Sequence, residues 1–223
     1  MPLGRGGRSK GIVVQSDPGS MIEVFADIWC PFAHVGLREV RTQRDDSGRT
    51  DLFIRVRAWP LELVNGAAQD PSATQAHAVE VREQVAPTMF ANVALDPFPT
   101  STLQALALVE RAYRMDPALG ERASFVLRDA MFEEGRDISD PAVLESIATG
   151  LGVRMPEAAD DAAVLADWHE GQRRGVRGSP HFFCGDIDAF CPSLTITKVP
   201  DAGSTITLDT VRLTAFMAQC LAG

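Results

Sequence analysis

The sequence predicts an α/β fold, with a central mixed sheet, helices on its faces, and an all-helical insertion between the second and third main strands. Three observations carry this expectation. Two segments rich in β-branched and aromatic residues, from Met21 to Trp29 and from Leu52 to Trp59, flank one helix-spaced segment. A long middle stretch, 66–174, shows only helical spacing. From Ser179 the period returns to that of strands before one last amphipathic segment closes the chain.

The first strand ends at Trp29, and the helix that follows begins at Pro31, where a proline costs no hydrogen bond. Phe32, Val35, Leu37 and Val40 give this helix an apolar stripe to about Gln43. A polar turn over Asp45 to Asp51 leads into the second strand, and handedness makes the unit a parallel βαβ pair. Helical spacing then covers Ala78 to Val85, Thr102 to Met115, Leu119 to Glu134, Pro141 to Thr149 and about Ala159 to Arg174. Gly135 and Gly150 stand where helices end, and Asp140 caps the helix that opens on Pro141. Ser179 to Cys184 and Ala189 to about Ile196 read as a hairpin turning over 185–188, and Leu208 to Leu221 as the closing helix. The expected division is a flexible arm over 1–20, a sheet domain from 21–65 and 175–223, and a helical insertion with its connecting helix over 66–174.

Composition narrows the function. Of 223 residues 45% are apolar and 23% charged, the balance of a globular protein. The net charge of -9, with no basic run in the body, would repel rather than attract nucleic acid. Arg5, Arg8 and Lys10 among glycines read as a tail. No stretch has the length of a membrane span and the start lacks a secretory pattern, so a cytoplasmic location is expected. In a reducing compartment the four cysteines, Cys30, Cys184, Cys191 and Cys220, are expected free or redox-active.

Chemistry concentrates at the junction Asp27-Ile28-Trp29-Cys30-Pro31-Phe32-Ala33-His34. A cysteine at the start of a helix meets unpaired N–H groups and the positive end of the helix dipole, so a lowered thiol pKa is expected of Cys30. The run Cys30-Pro31-Phe32-Ala33-His34-Val35-Gly36-Leu37 resembles the Cys-Pro-aromatic-Cys helix start of the DsbA family, in particular its FrnE-like and 2-hydroxychromene-2-carboxylate isomerase branches. The stretch Gly175-Val176-Arg177-Gly178-Ser179-Pro180-His181-Phe182-Phe183 is similar to the segment in which that family places a cis-proline against its cysteine. A weaker match is Arg57-Ala58-Trp59-Pro60-Leu61-Glu62-Leu63, similar to a stretch that helps line the family's cleft.

The resemblance implies a thioredoxin-like fold and thiol chemistry at Cys30, with Pro180 opposite it and Ser179 presenting backbone groups to an extended ligand. It also exposes a departure, because Ala33 stands where redox members carry the resolving cysteine. The reading that follows is a thiol-disulfide oxidoreductase acting through Cys30 alone, holding no tight cofactor and using glutathione or another low-molecular-weight thiol as resolving partner. Two alternatives keep the fold: a thiol-dependent isomerase or kappa-type S-transferase, and a non-catalytic module that binds a peptide or partner. Cys191 is the best internal resolving candidate, since a hairpin turning at Asp186-Ile187 carries it near Phe182. A bridge from Cys191 to Cys184 and the fate of both as core residues stay open, and Cys220 falls on the apolar side of the last helix.

His34, one turn after Cys30, is a candidate to stabilise the thiolate or move a proton, and Asp27 to hold water, accept a proton or cap a neighbouring amide. Trp29, Phe32 and Trp59 are candidates for an apolar cleft wall, with core packing the commoner fate of such residues. His181 and Arg177 flank the Pro180 step; His77 and His169 look unremarkable. No metal site is expected, the partners are a small thiol or disulfide and an extended peptide, and a homodimer is compatible with the family.

Overall fold

The computed structural model describes residues 21–94, 96–199 and 203–222; the expected arm over 1–20 lies outside them. Strand β1 (Met21–Ala26) leads to helix α1 (Pro31–Asp46) and strand β2 (Phe53–Ala58). Helices α2 (Leu61–Asn65), α3 (Pro71–Gln84), α4 (Leu103–Met115), α5 (Pro117–Phe132), α6 (Pro141–Leu151) and α7 (Ala158–Arg173) follow. Strands β3 (His181–Cys184), β4 (Ile187–Phe190), β5 (Leu194–Val199) and β6 (Gly203–Leu208) precede the last helix, α8 (Thr210–Leu221).

The main sheet has the order β2-β1-β3-β4, with β1 and β2 parallel and the other two pairs antiparallel. This is the expected mixed sheet, entered by a βαβ unit. Alternation along β2 buries Ile54, Val56 and Ala58, whereas β1, at the centre, is buried on both faces from Val24 onward. Ile22, Val24, Leu37, Val40, Phe182, Phe216 and Met217 form the core between sheet, α1 and α8. A second core, through Leu106, Leu127, Phe132 and Ile147, holds the helical block together and reaches the sheet through Trp29 and Ala58.

Several boundaries differ from those expected. Helix α3 begins at Pro71, seven residues early, because Asp70 accepts from the Ser72 N–H (2.9 Å) and so caps a polar first turn that carries no apolar period. Gly150 lies inside α6, and the residue with left-handed backbone at its end is Gly152, at φ 70°. The hairpin turns at Gly185-Asp186, so β4 ends at Phe190. The segment read as its continuation instead starts a separate two-stranded ribbon, β5-β6, and Leu208 belongs to that ribbon rather than to the last helix.

Candidate active site

Cys30 is the N-cap residue of α1, with Pro31 in the first turn and extended backbone (φ -81°, ψ 111°). Its N–H donates to the Asp27 carbonyl at 3.4 Å and its carbonyl accepts from the His34 N–H at 3.1 Å. The thiol donates to the Ser179 carbonyl at 3.0 Å, and the Ser179 hydroxyl accepts from the Asp27 N–H at 3.0 Å. The Ser179–Pro180 peptide bond is cis. Thus the turn after β1 and the loop before β3 are laced together around the sulfur. Gly36 permits the approach, since a Cβ there would lie 3.1 Å from Ser193 Oγ and 3.4 Å from Pro180 Cγ.

Burial governs the electrostatics. Cys30 is 5% exposed, and loss of solvation pushes its thiol above the usual range, although the Ser179 hydroxyl, the Ala33 amide and the Arg128 charge act in the opposite sense. The expected lowering by the helix start is therefore overturned, because desolvation of the sulfur outweighs one turn of aligned amides.

Arg128, on α5, is the residue that sequence reasoning missed. Its side chain is fully buried, and Nη1 donates at 2.6 Å to the same Asp27 carbonyl that accepts the Cys30 N–H. Nε and Nη2 have no partner among the described residues. Burial draws its pKa down to about 10 against the pull of Cys30 and Asp27, so the guanidinium remains charged at neutral pH. The signal was present in the sequence: a lone arginine stands among Ser124, Phe125, Met131 and Phe132, all buried on α5.

The other predicted residues divide. Asp27 is buried, and its carboxylate accepts from the Trp29 N–H at 3.3 Å and from the Leu61 N–H, so it joins the β1 exit to the β2 exit; burial raises its pKa. Ala33 is fully buried beside Cys30 in the core between α1 and α8, and Pro31 is buried at the helix start. Phe32 is half-buried and meets the His77 ring of α3 at 5.5 Å, which brings an unremarked histidine to the rim. Trp29 is core, 1% exposed. Trp59 packs edge-on against Phe25 (6.3 Å) beneath Gly171 of α7, and so fills the opposite face of the sheet instead of a cleft wall.

His34 does not serve Cys30. Its ring is buried between Phe90 and Phe132, with Nε2 2.7 Å from Glu133 Oε1 and Nδ1 2.9 Å from Arg38 Nη1. Arginine can only donate, so Nδ1 accepts and Nε2 carries the proton toward Glu133. Burial lowers the histidine pKa to about 4, so the ring is neutral and both nitrogens are engaged. His34, Asp129 and Glu133 bring ligand-type atoms within 4.8 Å of one another, but Arg38 bridges the group and supplies its positive charge.

His181 likewise turns away: its Nε2 lies 2.7 Å from Asp188 and its Nδ1 accepts from the Arg177 N–H at 3.2 Å. The Arg177 side chain covers Phe190, 5.1 Å from the ring centroid. All four cysteines are free. Cys191 is buried, with left-handed backbone (φ 46°), and its N–H donates to the Pro180 carbonyl at 2.9 Å. It therefore stands opposite Pro180, two residues nearer the site than a turn at Asp186-Ile187 would put it. Burial and the neighbouring Cys30 push its thiol up to about 12. Cys184 faces Ile187 at the far end of β3. About 13 Å of strand separates that end from Pro180, too far for a Cys184–Cys191 bridge.

A cysteine at a helix start facing the residue before a cis-proline, on a sheet entered through βαβ, is the arrangement of a thioredoxin-like site. A model of the DSBA-like thioredoxin domain matches residues 21–202, and the chain belongs to that family. No curated protein matches the sequence. Among solved structures it is similar to the cytosolic disulfide reductase DsbM from Pseudomonas aeruginosa, at 14% identity and TM-score 0.59, over 91% of this chain and 100% of that one. The same protein solved with GSH aligns at 16% identity and TM-score 0.58, over 91% and 100% of the two chains. A 2-hydroxychromene-2-carboxylate isomerase aligns at 18% identity and TM-score 0.57, over 76% and 88%. At these identities the likeness establishes the fold.

Proposed function

We propose that the chain is a thiol-disulfide oxidoreductase that works through Cys30 alone and is resolved by a low-molecular-weight thiol of the glutathione type. The observation that carries this reading is the environment of Cys30. One sulfur bonded to the Ser179 carbonyl stands beside a buried Arg128, with Ala33 in the position from which a second sulfur would act. In the first step the Cys30 thiolate attacks a disulfide RS–SR, forming Cys30–S–SR and releasing RS⁻. In the second, an external R′S⁻ attacks the outer sulfur, forming R′S–SR, and Cys30 leaves as thiolate. Net, one disulfide exchanges one thiol for another, with no electrons gained or lost.

Arg128 is suited to both steps, because its charge favours the thiolate that attacks first and departs last. The Ser179 backbone, released from the thiol, would offer an extended sulfur-bearing ligand the pairing of an added strand. That DsbM has been solved with GSH supports a small thiol as partner.

The test is glutathione-coupled reduction of a small mixed disulfide. The proposal expects turnover that saturates with glutathione and disappears in Cys30→Ser; equal turnover in that variant would refute it. The isomerase or transferase reading is separated by supplying glutathione with an electrophilic aromatic, where conjugate formed without disulfide reduction would replace the proposed reaction.

A further inference from the structure

A second pair of thiols lies at the opposite end of β3 from Cys30. Phe182 of β3 and Phe216 of α8 face one another with ring centroids 6.1 Å apart. Two residues along a strand advance about 7 Å on the same face, and four along a helix about 6 Å on the same face. Those steps lead from Phe182 to Cys184 and from Phe216 to Cys220. Cys184 accordingly packs on the core that contains Phe216, Met217 and Cys220, which brings the two thiols into one another's electrostatic reach.

The members of the pair are unequal. Cys220 is 1% exposed, whereas Cys184 is half-buried, close to a surface groove of about 540 Å³ lined in part by Asp186, Ile187, Phe216 and Gln219. The nearness of Cys220 holds the Cys184 thiol below its usual range, and the nearness of Cys184, together with burial, holds the Cys220 thiol above it. Cys184 is therefore the sulfur to react first and Cys220 the one to follow.

We propose that Cys184 and Cys220 form a second redox centre, independent of Cys30, which closes to a disulfide when it meets a low-molecular-weight disulfide. The Cys184 thiolate attacks RS–SR to give Cys184–S–SR and RS⁻; Cys220 then loses its proton, attacks the Cys184 sulfur and expels the second RS⁻. The two protein thiols are oxidised, and one RS–SR is reduced to two RSH. The bridge would tie the last turn of α8 to the end of β3. The same helix carries Arg212, whose guanidinium holds the Leu194 carbonyl at 2.7 Å and also bonds the Cys191 carbonyl behind the Pro180 loop.

The test uses the full chain carrying Cys30→Ser, reduced and then exposed to oxidised glutathione. The expected product is lighter by two hydrogen atoms and yields a peptide linking Cys184 to Cys220. With Cys220→Ala added, the reaction is expected to stop at one glutathione adduct on Cys184. A Cys30→Ser chain that stays reduced, keeps a glutathione on Cys184, or links either cysteine to Cys191 would overturn the proposal. Because Cys30 is absent throughout, none of these outcomes bears on the reading of the active site.

Discussion

Replacement of Arg128 by methionine separates charge from packing at the active site. The guanidinium and the Cys30 amide share the Asp27 carbonyl at 2.6 and 3.4 Å. The charge lowers the Cys30 thiol, and a unit charge about 5–6 Å from a thiolate is worth about 3 kcal/mol at an effective dielectric near 20. Without that charge the Cys30 thiol rises further above its usual range, and the thiolate fraction at neutral pH falls by roughly 100-fold. Alkylation of Cys30 by iodoacetamide, followed by mass, should slow by that factor. Stability should move the other way. The arginine is fully buried with two nitrogens unpartnered among the described residues, and a methionine of similar reach removes that cost, so Tm should hold or rise. Arg128→Lys keeps the charge and should recover most of the alkylation rate. An unchanged rate in Arg128→Met, with Tm held, would refute the role given to this arginine.

Ala33→Cys restores a second sulfur beside Cys30 in the buried first turn of α1. Mild oxidation should then yield an internal bridge from Cys30 to the introduced thiol, and disulfide reduction should lose its requirement for an added thiol. His34→Gln should leave Cys30 alkylation within about threefold, since the imidazole serves Glu133 and Arg38. The same variant tests the pH dependence. His34 is held at about 4 in the fold, below its ordinary 6.5, so its contribution is complete above 6.5 and drains as pH falls toward 4. Glu133, held at about 2 by the His34 and backbone donors against its own burial, loses its contribution only as pH falls from 4.5 toward 2. The unfolding free energy of the native chain from urea denaturation should thus drop between pH 6.5 and 4 by an amount on the order of a few kcal/mol, and His34→Gln should flatten that window. Gly171→Ala should lower stability by about 1–3 kcal/mol despite a helix-propensity gain of roughly 1, by urea denaturation. Its Cβ would fall 2.5 Å from the Trp59 ring and 3.0 Å from Phe25.

What the sequence disclosed follows from how local each signal is. The βαβ opening, the N-cap position of Cys30 and the Pro180 segment depend on a few adjacent residues, and they stand in the structure as read. Side-chain destinations depend on distant partners. His34 looked like a companion of Cys30 because it is one turn away, yet Glu133 and Arg38 claim both of its nitrogens. Trp59 is covered by α7, an element more than a hundred positions later, whose Gly171 makes room for the ring. Arg128 shows the converse. Its position on a buried stripe was visible, but only the tertiary fold reveals that the stripe faces Asp27 and Cys30. The β5-β6 ribbon was legible only in part, because Leu194 and Ile196 read as a continuation of the hairpin and most of the remaining ribbon residues are exposed.

The most direct test of a single-thiol site is the product formed with oxidised glutathione once the remote pair is silenced by Cys184→Ser and Cys220→Ser. Intact mass and peptide mapping should find one glutathione on Cys30, released on addition of reduced glutathione. A chain lighter by two hydrogen atoms, with Cys30 linked to Cys191, would contradict the account and make Cys191 the resolving sulfur.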